Sequence, residues 1–177
     1  IHIITKVGQY TQSEFNYYRK KNLKDDFFNF HPSYINDCVK FINETFFEFK
    51  NVSILLHNPE DFLKTSNLSI LDLSESFDIL ENEVKSKRIK SWGISSWNGL
   101  YLYKNSLGFI DLCELLNYLD YTYINHNFRI IQVPMGLWNL NEYFKKNNTH
   151  RKIKNKLLTL EDFCKIESID LMLNSTF

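Results

Sequence analysis

Five short apolar runs in this 177-residue chain each end in side chains able to do chemistry. Thr5-Lys6 ends the first, His57-Asn58-Pro59-Glu60 the second and Ser95-Ser96-Trp97 the third. Gln132 stands just before Val133-Pro134 in the fourth, and Asn174-Ser175-Thr176 closes the fifth. A lysine, an imidazole, hydroxyls and amides delivered to one rim are the few convergent polar groups around which a small-molecule pocket is built. Taken singly, each has a plain structural reading: Lys6 as a surface lysine, His57 as a satisfied half-buried histidine, Ser95 and Ser96 as turn residues, Gln132 as a strand residue bonding backbone. Their recurrence at five successive run ends argues for a site, since an unselective framework would place more Gly, Asp and Pro there.

Other chemistries find less support. His57 has no histidine or cysteine at metal-ligand spacing, and Glu60 and Asp61 read as the first turn of a short helix after Pro59. Cys38, Cys113 and Cys164 are an odd, widely spaced set, each in a segment read as helix away from the rim. They suit small buried hydrophobes in a reducing compartment better than nucleophiles or disulfides.

The runs at 1–5, 52–56, 89–94, 128–133 and 169–173 are rich in β-branched residues without strict alternation, the habit of strands covered on both faces. Between them lie helical patterns. Ile35, Val39, Ile42, Phe46 and Phe49 mark one face of a long helix after Pro32, with Ser33 as its expected cap. Phe77, Leu80 and Val84 mark a second, and Phe109, Leu112, Leu116 and Leu119 a third. Thr159 with Asp162 resembles a capping box with a shortened acid, opening a helix through Phe163 and Ile166. The order is β-α-β-α-β-α-β-α-β, with strand starts 51, 37, 39 and 41 residues apart. This is an α/β chain whose spacing lets each crossover be right-handed. An open doubly wound sheet and an eight-stranded barrel compete, and the absence of a Gly-rich phosphate loop favours the barrel.

Composition sets the outer bounds. With 21 basic against 21 acidic residues, 44% apolar and 16% aromatic, the chain reads as one globular domain over 1–177. It is long enough to bury about 70% of its unfolded surface without staples. Zero net charge argues against nucleic-acid binding, and Lys85, Lys87, Arg88 and Lys90 read as a solvated helix end. No run approaches the roughly 18 apolar residues of a membrane helix, no leader precedes the first run, and a cytoplasmic protein is expected. Trp97 is the best aromatic candidate for a pocket wall. The chain opens at Ile1 inside a strand-like run and closes at Phe177 just after another, so both ends read as cut.

Ordered along the chain, these motifs resemble those of the aldo-keto reductases. Ile3-Ile-Thr-Lys-Val-Gly8 is similar to the family strand ending in a catalytic lysine. Ile54-Leu-Leu-His-Asn-Pro-Glu60 is similar to the next strand with its catalytic histidine. The segment from Glu83 to Gly93-Ile-Ser-Ser-Trp97 resembles the helix and strand that end in a nicotinamide-contacting pair, and Ile131-Gln-Val-Pro134 the strand whose glutamine holds the carboxamide. The His-Asn-Pro-Glu and Gly-Ile-Ser-Ser-Trp forms resemble a less-studied branch.

The resemblance implies a partial (β/α)8 barrel, five central strands of eight, and an NADPH-dependent reduction of an aldehyde or ketone, with NADH as the other candidate cofactor. By position Lys6 and His57 become catalytic, while Ser95, Ser96, Gln132 and, on the last strand, Asn174 and Ser175 become cofactor-binding. Family members usually show Ser-Asn where this chain has Ser95-Ser96, and often an aromatic where it has Asn174. The family's catalytic tyrosine and aspartate precede the lysine strand and do not fall in this chain. A five-stranded piece would expose two edges and an apolar inner face, so the 177 residues alone are expected to be poorly soluble or inactive. A barrel that keeps nucleotide binding but acts as a regulatory or interaction subunit is the alternative. A third is an unrelated β/α barrel whose rim residues agree by accident. The partner that the resemblance implies is a small carbonyl substrate.

Overall fold

The computed structural model describes residues 1–10, 13–14, 28–66, 68–136, 140–146, 148–149 and 157–174. Five strands form its main sheet: β1 (Ile3–Val7), β2 (Val52–His57), β3 (Ser91–Ser95), β4 (Phe128–Pro134) and β5 (Asp170–Asn174). All neighbours are parallel and the spatial order follows the chain order. That order decides between the two candidate architectures. A doubly wound sheet reverses strand order at a switch point, whereas a barrel wall adds each strand beside the last.

Helices α1 (Pro32–Thr45), α2 (Pro59–Ser66), α3 (Ser74–Lys85), α4 (Leu112–Thr122) and α5 (Leu160–Glu167) lie in the crossovers, α2, the short helix read after Pro59, and α3 both falling between β2 and β3. All three cysteines fall on helices, Cys38 on α1, Cys113 on α4 and Cys164 on α5. Two helix starts differ from expectation. Helix α1 is capped by His31, whose side chain accepts from Ser33 N, rather than by Ser33 itself. Pro32 takes the first helical position, where its fixed φ fits and its missing N–H costs nothing. Helix α4 begins at Leu112 because the Asp111 carboxylate accepts from Cys113 N and Glu114 N, leaving Phe109 in the preceding turn. Helix α5 starts as read, with Thr159 Oγ1 accepting from Asp162 N at 3.1 Å.

The strands end one or two residues beyond their apolar runs. Polar residues at the run ends belong to the ladder, so Lys6, His57, Ser95 and Asn174 are strand residues.

Alternation gives the sheet two faces. Val7, Leu56, Ile94 and Ile131 pair in one row and join the buried core with Ile35, Phe77, Leu80, Leu116 and Phe163 from the helices. Trp92, fully buried, stacks on Phe77 and meets Phe128 edge-on. Leu55 and Ile130, also buried, lie on the opposite face, the one that carries Lys6 and His57. Among the described residues no helix is long and apolar enough to cross a membrane.

Candidate active site

Register assembles the site. His57, Ser95, Gln132 and Met172 pair in one row across four strands near their C-terminal ends. Lys6 lies one step back, in the row of Leu55, Gly93, Ile130 and Asp170, and Asn174 one step on, beside Pro134. Since residues two apart share a face, Lys6, His57, Ser95, Gln132 and Asn174 all lie on the same side of the sheet.

The amide and hydroxyl groups interlock. Ser95 Oγ donates to Gln132 Oε1 at 3.1 Å, and Asn174 Nδ2 donates to the same oxygen at 3.4 Å. Asn174 Oδ1 is buried and finds no partner among the described residues. Ser96 is held through its backbone, its N–H donating to the Gln132 carbonyl at 2.9 Å, while its own Oγ is buried without a partner among the described residues. Ser175 lies outside the described residues.

The two basic groups are tuned by their setting. Burial lowers the His57 pKa from its ordinary 6.5 to about 4, helped by the positive charge of Lys6 and opposed by Asp61. At neutral pH the imidazole is therefore uncharged and offers one N–H donor. Partial burial also lowers the Lys6 pKa, although the residue is exposed over much of its surface.

Glu60 is a residue that the motif reading passed over. Its fully buried side chain reaches the loop after β3, where Oε1 accepts from Trp97 N at 2.6 Å and Asn98 N at 3.0 Å. Beside it, Asn58 takes a left-handed conformation, φ 49°, and donates its N–H to the Ser95 carbonyl at 2.7 Å. Asn is among the few residues that accept that backbone, and the Asn-Pro-Glu string was the available signal.

Beyond the row, a rim pocket of about 310 Å³ is walled by Trp97, Tyr101, Tyr103, Pro134 and Lys145. Trp97 is 50% exposed, as a wall residue should be. Lys145 Nζ stands 3.6 Å from the Tyr103 ring centroid and donates to the Tyr101 carbonyl, tying two rim loops together. A larger open hollow of about 840 Å³, between Ile70–Leu73, the loop at 104–109 and α4, holds none of the aligned polar residues.

No protein-family model and no curated protein matches the sequence. Among solved structures, the aldo-keto reductase AKR11C1 from Bacillus halodurans, in its holo form, superposes over 98% of this chain with a TM-score of 0.52. The chain has the fold of an aldo-keto reductase. At 16% identity this likeness speaks for the fold, and the chain spans 42% of the length of that aldo-keto reductase. Five sequential parallel strands with outer helices are thus a partial aldo-keto reductase barrel, as the motifs led us to expect.

Proposed function

We propose that this chain carries the cofactor-facing part of an NAD(P)H-dependent oxidoreductase that reduces an aldehyde or ketone. The observation that carries the reading is the single row of His57, Ser95 and Gln132, flanked by Lys6 and Asn174, at the strand ends of an aldo-keto reductase fold.

The residues present fit a carboxamide. Such a group has two N–H donors and one carbonyl acceptor, and Asn174 Oδ1, buried and unpartnered among the described residues, is an acceptor awaiting a donor. Ser95 Oγ and the Gln132 side chain lie next to it. When bound, a reduced nicotinamide supplies the hydride. Ser95, Gln132 and Asn174 would hold its carboxamide and so would select the ring face offered to the substrate, with Ser96 and Ser175 as the further cofactor-binding residues. His57, uncharged, donates an N–H to the substrate carbonyl oxygen and orients it without placing a second cation beside Lys6. Lys6 supplies the positive charge that would favour an ionised phenol on the tyrosine that aldo-keto reductases place upstream of the lysine strand, and so would ease its proton donation. Trp97 and Tyr103 wall the substrate side.

The test is performed on the protein at its natural length. NADPH is titrated by fluorescence, a panel of aldehydes is added, and cofactor oxidation is followed. Tight binding with turnover that collapses in Lys6→Met and His57→Ala is the expected result. Binding without turnover points instead to a regulatory nucleotide-binding barrel, and absence of binding removes the cofactor reading.

A further inference from the structure

We infer that Glu60 is the positioning residue of this site: its carboxylate clasps the loop after β3 onto the end of β2, so that Ser95 and His57 meet the ligand in one row. The inference rests on the nicotinamide reading above and assigns the part that sets its geometry.

Glu60 sits in the first turn of α2, where an acidic side chain would ordinarily serve its own helix end. Here Oε1 instead accepts two successive N–H groups of another segment, Trp97 and Asn98, the first residues beyond Ser95-Ser96. The contact is close along its length. A Cβ on Gly99 would fall 2.7 Å from Glu60 Cβ, so the loop lies directly on this side chain. Two residues before Glu60, Asn58 N–H bonds the Ser95 carbonyl, so the segment after β2 is tied both to the last residue of β3 and, through Glu60, to the loop beyond it. His57 and Ser95 are the register partners just below them.

The arrangement is costly, which argues that it does something. Glu60 is wholly removed from water, and its Oε2 finds no partner among the described residues. A buried carboxylate with one unsatisfied oxygen is disfavoured unless its other bonds are strong, and charge-assisted bonds to backbone N–H are the strong kind. A neutral side chain could fill this space at lower desolvation cost, but would hold the loop by weaker bonds or by none.

The test compares wild type, Glu60→Gln and Glu60→Ala at natural length. Affinities are measured for NADP and for its analogue bearing nicotinic acid in place of nicotinamide, together with amide hydrogen exchange. Wild type is expected to prefer the carboxamide form. Glu60→Ala is expected to lose about tenfold of that preference. Its Trp97 and Asn98 amides should exchange at least about tenfold faster, while those of Leu55 and Ile94 inside the strands keep their protection. Glu60→Gln retains a neutral acceptor and should recover part of both effects. If the variants keep the wild-type preference, Glu60 has no positioning role. A wild type without any preference overturns the nicotinamide reading itself and this inference with it. Should the alanine variant lose protection throughout, Glu60→Gln decides: its preference must fall with strand protection intact, or the role is structural only.

Discussion

The charge of Lys6 falls on His57. After burial, the Lys6 ammonium is the larger of the forces that hold the imidazole neutral, bringing its pKa to about 4, while Asp61 pulls weakly the other way. A site built so keeps one cation where two basic side chains stand together.

That relationship gives a pH dependence with a definite sign. The unfolded chain protonates His57 near 6.5, the folded chain only near 4. Between those values the unfolded state binds more protons, so stability should fall as pH drops from about 6.5 to about 4 and be unaffected by this group above that window. Solvent screening at this partly buried site trims the size of the effect. Lys6→Met should raise the His57 titration midpoint, still below 6.5 because burial remains. Imidazole proton shifts followed by NMR check both statements, and an unmoved midpoint in Lys6→Met would show that the charge does not reach the ring.

Glu81 anchors the opposite face. Fully buried, it accepts from Trp92 Nε1 at 2.7 Å and Asn127 N at 2.6 Å through one oxygen, and from Asn127 Nδ2 at 2.8 Å through the other. Glu81→Ala leaves those donors unpaired and opens a cavity, for an expected loss of about 3 kcal/mol. Trp92→Phe leaves the carboxylate with its Asn127 bonds and should cost less, about 2 kcal/mol. Urea unfolding of both variants measures the order.

Gly93 has no room for a methyl group. A Cβ there would stand inside the Ile130 carbonyl, which is backbone and cannot turn aside, at the place where the β3–β4 register shifts. Gly93→Ala should therefore separate the two strands and cost about 3 kcal/mol. Loss of amide protection at Ile94 and Ile131 would report it.

Cys164 should be inert in the native state. Burial raises its thiol pKa to about 12, whereas Cys113 is only half-buried. Iodoacetamide at pH 8 is expected to modify Cys113 well before Cys164, which reacts only on unfolding; mass spectrometry of the digested protein reads the order. Early labelling of Cys164 would mean that α5 opens readily.

Much of the framework was legible because it depends on local pattern. Apolar runs at similar spacing named the strands, three-to-four spacing named the helices, and Thr159 marked a helix start that forms as read. Strand ends were misplaced because apolarity stops where the ladder does not: Lys6 and His57 are polar residues that pair like their neighbours. His31 as a cap was hidden because Ser33 has the commoner capping side chain, but Pro32 takes the first helical position and sets the cap two residues earlier.

The sequence by itself determined the order of the five main strands and of the helices between them, the residues that reach the strand ends and their chemical types, all of which follow from composition and period within a few residues. Only the tertiary structure decided that His57, Ser95 and Gln132 share one row, that Asn174 leans its amide on Gln132, and that Glu60 reaches across to the loop after β3. Those facts depend on register and on contacts between segments more than 30 residues apart. A shift of one residue would send each of these side chains to the other face, and no local preference in the chain encodes that choice.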